Sequence, residues 1–387
     1  MVFADVSVMP RPLPFLRAFL RALPRTFRRL APAASAVVLM TEASALDRPV
    51  SPDAQPVVAQ LLQFLHESSG RHILAGQQET VDWYGKDNDA EMQYLEQLTG
   101  KLPAIRSFDL LFYSHSEEGR RGQRVAQRAI EWHERGGIVA ICFHWFAGAP
   151  RSHFYTRQSD FNLNRALLPG TRDHEEFIAD MDVIAEELKL LRDAGVPVIW
   201  RPFHEASGGW FWWGARGPEP FKLAWRTMFD RFTRHHELNN LIWCFNPTEK
   251  RGALENWYPG DDVVDMISLD VYPLLGGRPT FASEYKRFHQ FRDGRKVVAL
   301  TENGPIPDPD RLFAEGANWP FFSTWSGKYL TDGRTNPPDF LRRVYQHPRV
   351  ITLDKLPSVL PLRNEVQDLA SDDGAQVATT GSESPGA

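Results

Sequence analysis

Cysteine is nearly absent from this chain. Among 387 residues only Cys142 and Cys244 carry thiols, each inside an apolar run, IVAICFHW and NLIWCFNP. Two such positions exclude a disulfide scaffold and any Cys/His zinc pattern. Two buried thiols are expected, and the sequence leaves open whether they pair. A basic stripe is also missing. The 44 Lys and Arg are interspersed with 49 Asp and Glu, for a net charge of -5, so nucleic acid is not an expected partner. No segment reaches the roughly twenty apolar residues of a membrane-spanning helix, so no membrane partner is expected. Neither G-x-G-x-x-G after the first strand nor G-x-x-x-x-G-K-[ST] occurs, which sets aside dinucleotide and P-loop chemistry.

Aromatic residues, by contrast, are abundant. Twelve Trp and twenty-five Phe suit a flat amphipathic ligand such as a sugar ring, although most must be core. With 42% hydrophobic residues, the chain has material for one α/β barrel or two ordinary domains. The first 45 residues stand apart. Up to Arg29, the arginines Arg11, Arg17, Arg21, Arg25, Arg28 and Arg29 face a single acid, Asp5, and the small apolar run LAPAASAVVLM follows, then A-x-A at Ala43 to Ala45. That order predicts an export signal and a secreted or periplasmic protein. A transit peptide or a disordered basic arm are the alternatives. Residues 364–387 are polar, small and Gly/Ser-rich, which predicts a disordered tail. The expected organisation is therefore 1–45 as signal or arm, 46–363 as one domain, and 364–387 as tail.

Between the tails, apolar runs alternate with helical patterns. The runs are HILAGQQ, LPAIRSFDLLF, GIVAICFHW, VPVIWRPFHE, NLIWCFNP, VDMISLDVY, KVVALTENG and PFFSTWSG. They lack clear alternation, as parallel strands buried on both faces do. In HEEFIADMDVIAEELKLLRDAG, Phe177, Met181, Ile184, Leu188 and Leu191 form one stripe, and Gly195 is a helix stop. Eight such strands predict a (β/α)8 barrel, an α/β fold with its site at the strand C-terminal ends. A doubly wound open sheet is the alternative.

In a barrel, the polar residues that end the runs are the catalytic candidates: Gln77, Gln78, Asp109, His144, Trp145, His204, Glu205, Asn246, Asp270, Tyr272, Glu302 and Trp325. Glu205 is expected to close strand four and Glu302 strand seven, which lie across the lumen from each other. Paired carboxylates at a cleft perform glycoside hydrolysis: one donates a proton to the leaving oxygen, and the other attacks or activates water. The run WFWW that follows Glu205 could stack sugars and hold Glu205 protonated. A lone strand-end glutamate more often serves a helix terminus or an ion pair, so the pairing carries the argument. In an extended conformation Trp210 and Trp212 would share one face, and half of the run would be core. HEASG lacks the second histidine of H-E-x-x-H, which argues against a zinc protease.

At these residues the chain resembles glycoside hydrolase family 26, the β-mannanase family, from HILAGQQET to the strand holding Trp325. The stretch RPFHEASGGWFWWG is the most specific part. The resemblance implies a retaining (β/α)8 enzyme that needs no metal or organic cofactor, with Glu205 as acid/base and Glu302 as nucleophile. It implies that His204 and Tyr272 hydrogen-bond the nucleophile, with Asp270 on the same wall and Arg201 as electrostatic support beneath. Trp210 and Trp325 would stack on sugars, and His144 would contact substrate. The expected partner is a β-mannan polysaccharide, met by a monomer. The alternatives are a mixed-linkage β-glucan or β-1,3-xylan as substrate, a carbohydrate-binding protein without catalysis, and a metal-dependent hydrolase using His144, His204 and Asp270.

Overall fold

The computed structural model describes residues 46–80, 88–114, 124–148, 153–250, 252–273 and 277–356. Both expected tails, and the signal pattern with them, lie outside the described residues. Eight strands follow one another as β1 (Ile73–Gln78), β2 (Ile105–Asp109), β3 (Ile138–Cys142), β4 (Val198–Arg201), β5 (Leu241–Phe245), β6 (Met266–Val271), β7 (Val297–Asn303) and β8 (Phe321–Thr324). Each pairs in parallel with the next, and β1 pairs with both β2 and β8, so the sheet closes on itself. This is the (β/α)8 barrel. A short strand that the sequence did not signal, β9 (Val350–Ile351), adds to β1 from outside.

The strands form where they do because both of their faces are covered. Seven of the eight are buried at every position, and in β3 only Ala140 is partly exposed. That burial explains the unbroken apolar runs. Inside the barrel, Leu74, Ile105, Ile138, Ile199, Ile242 and Phe321 pack together at the N-terminal end. Val58, Leu61, Leu62 and Leu65 of helix Pro56–Ser68 belong to the same cluster and cap that end. Gly76 of β1 is required by contact: a Cβ there would lie 2.5 Å from the Phe322 carbonyl oxygen of β8 and force the two strands apart.

The outer helices follow the expected stripes. Helix Arg172–Asp193 buries Phe177, Met181, Ile184, Leu188 and Leu191 completely. Thr171 starts it by accepting from the His174 amide at 3.1 Å, and Gly195 ends it at φ +71°. Cys142 and Cys244 are both buried and unpaired, on β3 and β5. No helix among the described residues is long and apolar enough to cross a membrane. Apolar packing thus closes the bottom of the barrel, and the polar residues collect at the strand C-terminal ends. The pairing of β6 with β7 shifts register between Leu269 and Asp270, which sets Asp270 opposite Glu302.

Candidate active site

β4 ends at Arg201, four residues earlier than the sequence suggests, so Glu205 stands in a turn rather than on a strand. The turn is strained. Phe203 (φ 50°) and Glu205 (φ 52°) both adopt the left-handed conformation that favours glycine. Surrounding contacts hold it there. The Glu205 amide donates to Asn246 Oδ1 at 2.7 Å, and Trp213 Nε1 donates to the His204 carbonyl at 2.8 Å. The Phe203 ring packs on Trp145 with centroids 5.8 Å apart.

Glu302 sits within β7 and has both oxygens engaged. Arg201 Nη2 donates to Oε2 at 2.8 Å, and the Tyr272 hydroxyl donates to Oε1. The other arm of Arg201 pairs with Asp270. Asp270 Oδ1 also accepts from Thr301 Oγ1 at 2.8 Å and from Asn246 Nδ2 at 3.0 Å. Carboxylate oxygens of Glu205, Asp270 and Glu302 lie within 4.8 Å of one another. Three acids therefore share one buried guanidinium, and full ionisation would leave an uncompensated negative charge. The result is visible at Glu205, which burial and then the charges of Asp270 and Glu302 push from its ordinary 4.5 up to about 8. Trp210 Nε1, donating to Glu205 Oε2 at 2.7 Å, opposes that rise. Burial also lifts Asp270, to about 7, against the pull of Arg201. The Tyr272 hydroxyl is pushed well above its usual range by burial and by Glu302, so it remains a donor.

The histidines form a separate chain. Asp109 accepts from the His144 backbone amide at 3.0 Å and from Nδ1 at 2.6 Å. That fixes the tautomer, so His144 Nε2 accepts from His204 Nε2 at 3.1 Å. Burial, then His144 and Arg201, draw His204 well below the ordinary histidine value, so it stays neutral. The expected bond from His204 to Glu302 is not made. Arg201 and Tyr272 hold the two Glu302 oxygens, and the imidazole turns to His144 instead. Nor do His144, His204 and Asp270 converge as a metal site among the described residues: Asp270 is turned onto a guanidinium, and a second cation there would be repelled.

The aromatic run does not alternate either. Trp210 is 39% exposed, whereas Phe211, Trp212 and Trp213 are all buried. The segment is a turn packed on both sides, so the period of a strand does not apply. Trp210 and Glu205 face an open cleft of about 820 Å³, whose far wall includes Asp270, Tyr272, Arg278 and Phe281. Trp325, just beyond β8, meets the His144 ring at 5.7 Å. Gln77 donates to the Gln78 and Trp325 carbonyls, at 2.9 and 3.5 Å, and supports the floor. Every candidate at a strand end is thus gathered at one end of the barrel. The sequence pointed to Asn246 and Asp109 but assigned them no role. Asn246 joins Glu205 to Asp270, and Asp109 orients His144.

The family model of glycosyl hydrolase family 26 matches residues 50–355, which include both glutamates and the whole barrel. The chain belongs to glycosyl hydrolase family 26. A mannan endo-1,4-beta-mannosidase of Thermothelomyces thermophilus is 40% identical over 320 residues, covering 79% of this chain and 62% of that protein. Among solved structures of family 26 relatives, the Podospora anserina GH26-CBM35 β-(1,4)-mannanase is 36% identical with a TM-score of 0.73. That likeness covers 82% of this chain and 70% of that one. A β-mannanase from a symbiotic protist of the termite Reticulitermes speratus, complexed with gluco-manno-oligosaccharide, is 32% identical with a TM-score of 0.74, covering 81% and 98%. The chain spans 50 to 62% of the length of the first curated relatives it matches.

Proposed function

We propose that the chain is a retaining endo-β-1,4-mannanase that cleaves mannan or galactomannan by double displacement. One observation carries this reading: two glutamates meet across the cleft in different environments. Glu205, raised to about 8, keeps its proton at neutral pH and is the acid. Glu302, held by Arg201 and Tyr272, is the nucleophile. Their oxygens lie within 4.8 Å, a separation that suits direct attack. An inverting pair is wider, at about 6.5–9.5 Å between carboxyl groups, to admit water.

In the first step Glu302 attacks the anomeric carbon. The glycosidic bond breaks, and its electron pair takes the proton from Glu205. In the second step the esterified Glu302 carries no charge, so one of the causes that raise Glu205 is gone. Glu205 then accepts a proton from water as that water attacks the glycosyl ester, and Glu302 is released. Tyr272 and Arg201 reorient little, because both already point at Glu302. Mannan as substrate is supported by the activities of the relatives named above. Export is supported by the pattern of the first 45 residues and by the size of a polysaccharide, and action as a monomer is part of the same proposal.

Reducing-sugar release from galactomannan, mixed-linkage β-glucan and β-1,3-xylan, with Glu302→Ala as the blank, tests the proposal. Release from galactomannan that vanishes in the variant is expected. Release from glucan or xylan alone would replace the substrate and keep the mechanism. Silence on all three from folded protein would leave a carbohydrate-binding protein.

A further inference from the structure

Glu91 stands in the first turn of helix Ala90–Thr99, which follows β1, and only 3% of it is exposed. Burial of a carboxyl group is costly unless its oxygens are bonded, and both are. Oε2 accepts from the Thr80 hydroxyl, just beyond β1, and Oε1 accepts from the Gly327 amide at 2.9 Å, just beyond β8. Asn88 Nδ2 donates to the Thr80 carbonyl at 2.8 Å and braces that side. Both donors to Glu91 are neutral, and the dipole of a helix favours an acid in its first turn. One side chain therefore joins the connections that follow β1 and β8, across 236 residues.

Gly327 forms a turn just after Trp325, with a φ of +67° that favours glycine. Its carbonyl accepts from the Leu330 and Thr331 amides at 3.0 Å each and starts the helix Lys328–Thr331. The segment from Trp325 to Tyr329 runs past Glu302, and its two ends meet different groups of the site. The Trp325 amide donates at 2.9 Å to the carbonyl of Asn303, the neighbour of Glu302, and the Trp325 ring meets His144 at 5.7 Å. The Tyr329 ring packs on Tyr272 at 5.1 Å, and its hydroxyl is shifted upward by burial and then by the charge of Glu302. The Glu91 carboxyl holds the turn between these ends.

We propose that Glu91 is a positioning residue: by holding the Gly327 amide it keeps Trp325 against His144 at the edge of the cleavage site. This rests on the glycan-hydrolase reading above. The test compares Glu91→Met and Glu91→Gln, two side chains of similar volume, alone and combined with Trp325→Ala. Steady-state kinetics are run on the polysaccharide that the wild type cleaves, well below the melting temperature of each variant. Gln offers an oxygen to Gly327 and an N–H to Thr80, so kcat/KM stays within about twofold of wild type. Met offers neither, and kcat/KM falls about tenfold. Trp325→Ala lowers it about 10²-fold, and adding Glu91→Met costs no more than about twofold further, because the two side chains act as one unit. In fluorotryptophan-labelled protein, the fluorine resonance lost in Trp325→Ala moves in Glu91→Met and stays in place in Glu91→Gln. A wild-type kcat/KM in Glu91→Met overturns the proposal, as does an equal loss in Glu91→Gln. If Glu91→Met folds poorly, Glu91→Ala takes its place in the same comparison. A wild type that cleaves no glycan overturns both readings, whereas an active wild type with additive losses or an unmoved resonance overturns this one alone.

Discussion

Glu205 and Glu302 bear the same side chain a few ångströms apart, and their surroundings make different groups of them. Glu302 lies within a strand, backed by a guanidinium and a phenol. Glu205 lies in a strained turn, and its carboxylate accepts a neutral indole N–H. Ordinary backbone carries the residue that needs a fixed anionic geometry. Strained backbone carries the one that must give and take a proton. The contrast shows that acid and nucleophile are assigned by neighbours, because a carboxyl group titrates according to the charge and burial around it.

The largest effects break the contrast outright. Glu302→Ala is expected to lower reducing-sugar release from polysaccharide at least about 10⁴-fold with an intact circular dichroism spectrum. Glu205→Ala should cost about 10³-fold on polysaccharide. It should cost less than about tenfold in the first step on aryl glycosides with good leaving groups, which need no protonation. Equal losses on both substrate kinds would contradict the acid role.

Arg201→Lys keeps the charge but loses the fork that holds Asp270 and Glu302 together. An activity loss of about 10²-fold is expected at pH 7, with a lowered melting temperature. Wild-type activity would show that the fork is dispensable.

A finer test is the basic limb of the pH–rate profile. The acid must be protonated, so activity should fall as pH rises through about 8. Trp210→Phe removes a hydrogen bond that favours the ionised form of Glu205. The limb should then move upward by about 0.5–1 pH unit. A downward shift would show that the indole does not act on that carboxyl.

The smallest expected effect is on stability. The folded pKa of Glu205 lies above its ordinary 4.5, near 8, so the folded chain binds this proton more tightly than the unfolded chain. Its contribution is complete below pH 4.5 and is lost as pH rises towards 8. Gln does not titrate, so Glu205→Gln should melt higher than wild type by about 2–5 °C at pH 8, with little difference at pH 4. A difference independent of pH would mean that the side chain is no more costly charged than neutral.

Much of the fold was legible from local pattern. Parallel strands sealed on both faces appear as unbroken apolar runs, and the stripe from Phe177 to Leu191 marks its helix without ambiguity. What escaped was long-range or irregular. β9 has two residues and no period. An extended WFWW run would bury half of its rings, but the run is a turn clasped by the Phe154–Thr156 segment, and three of its four rings are core. Asn246 bonds Glu205 across 41 residues, and His204 bonds His144 across 60. No local pattern names such partners.

By itself the sequence determined which strands would form and which residue types would end them, because burial and helix periodicity act over a few neighbours. Only the closed barrel decided which glutamate holds a proton. Closing the sheet brings β4 and β7 face to face, and the register shift at Leu269 and Asp270 sets Asp270 beside Glu302 on one guanidinium. Electrostatic energy depends on the distance and burial of these groups, and neither is set until the chain has folded.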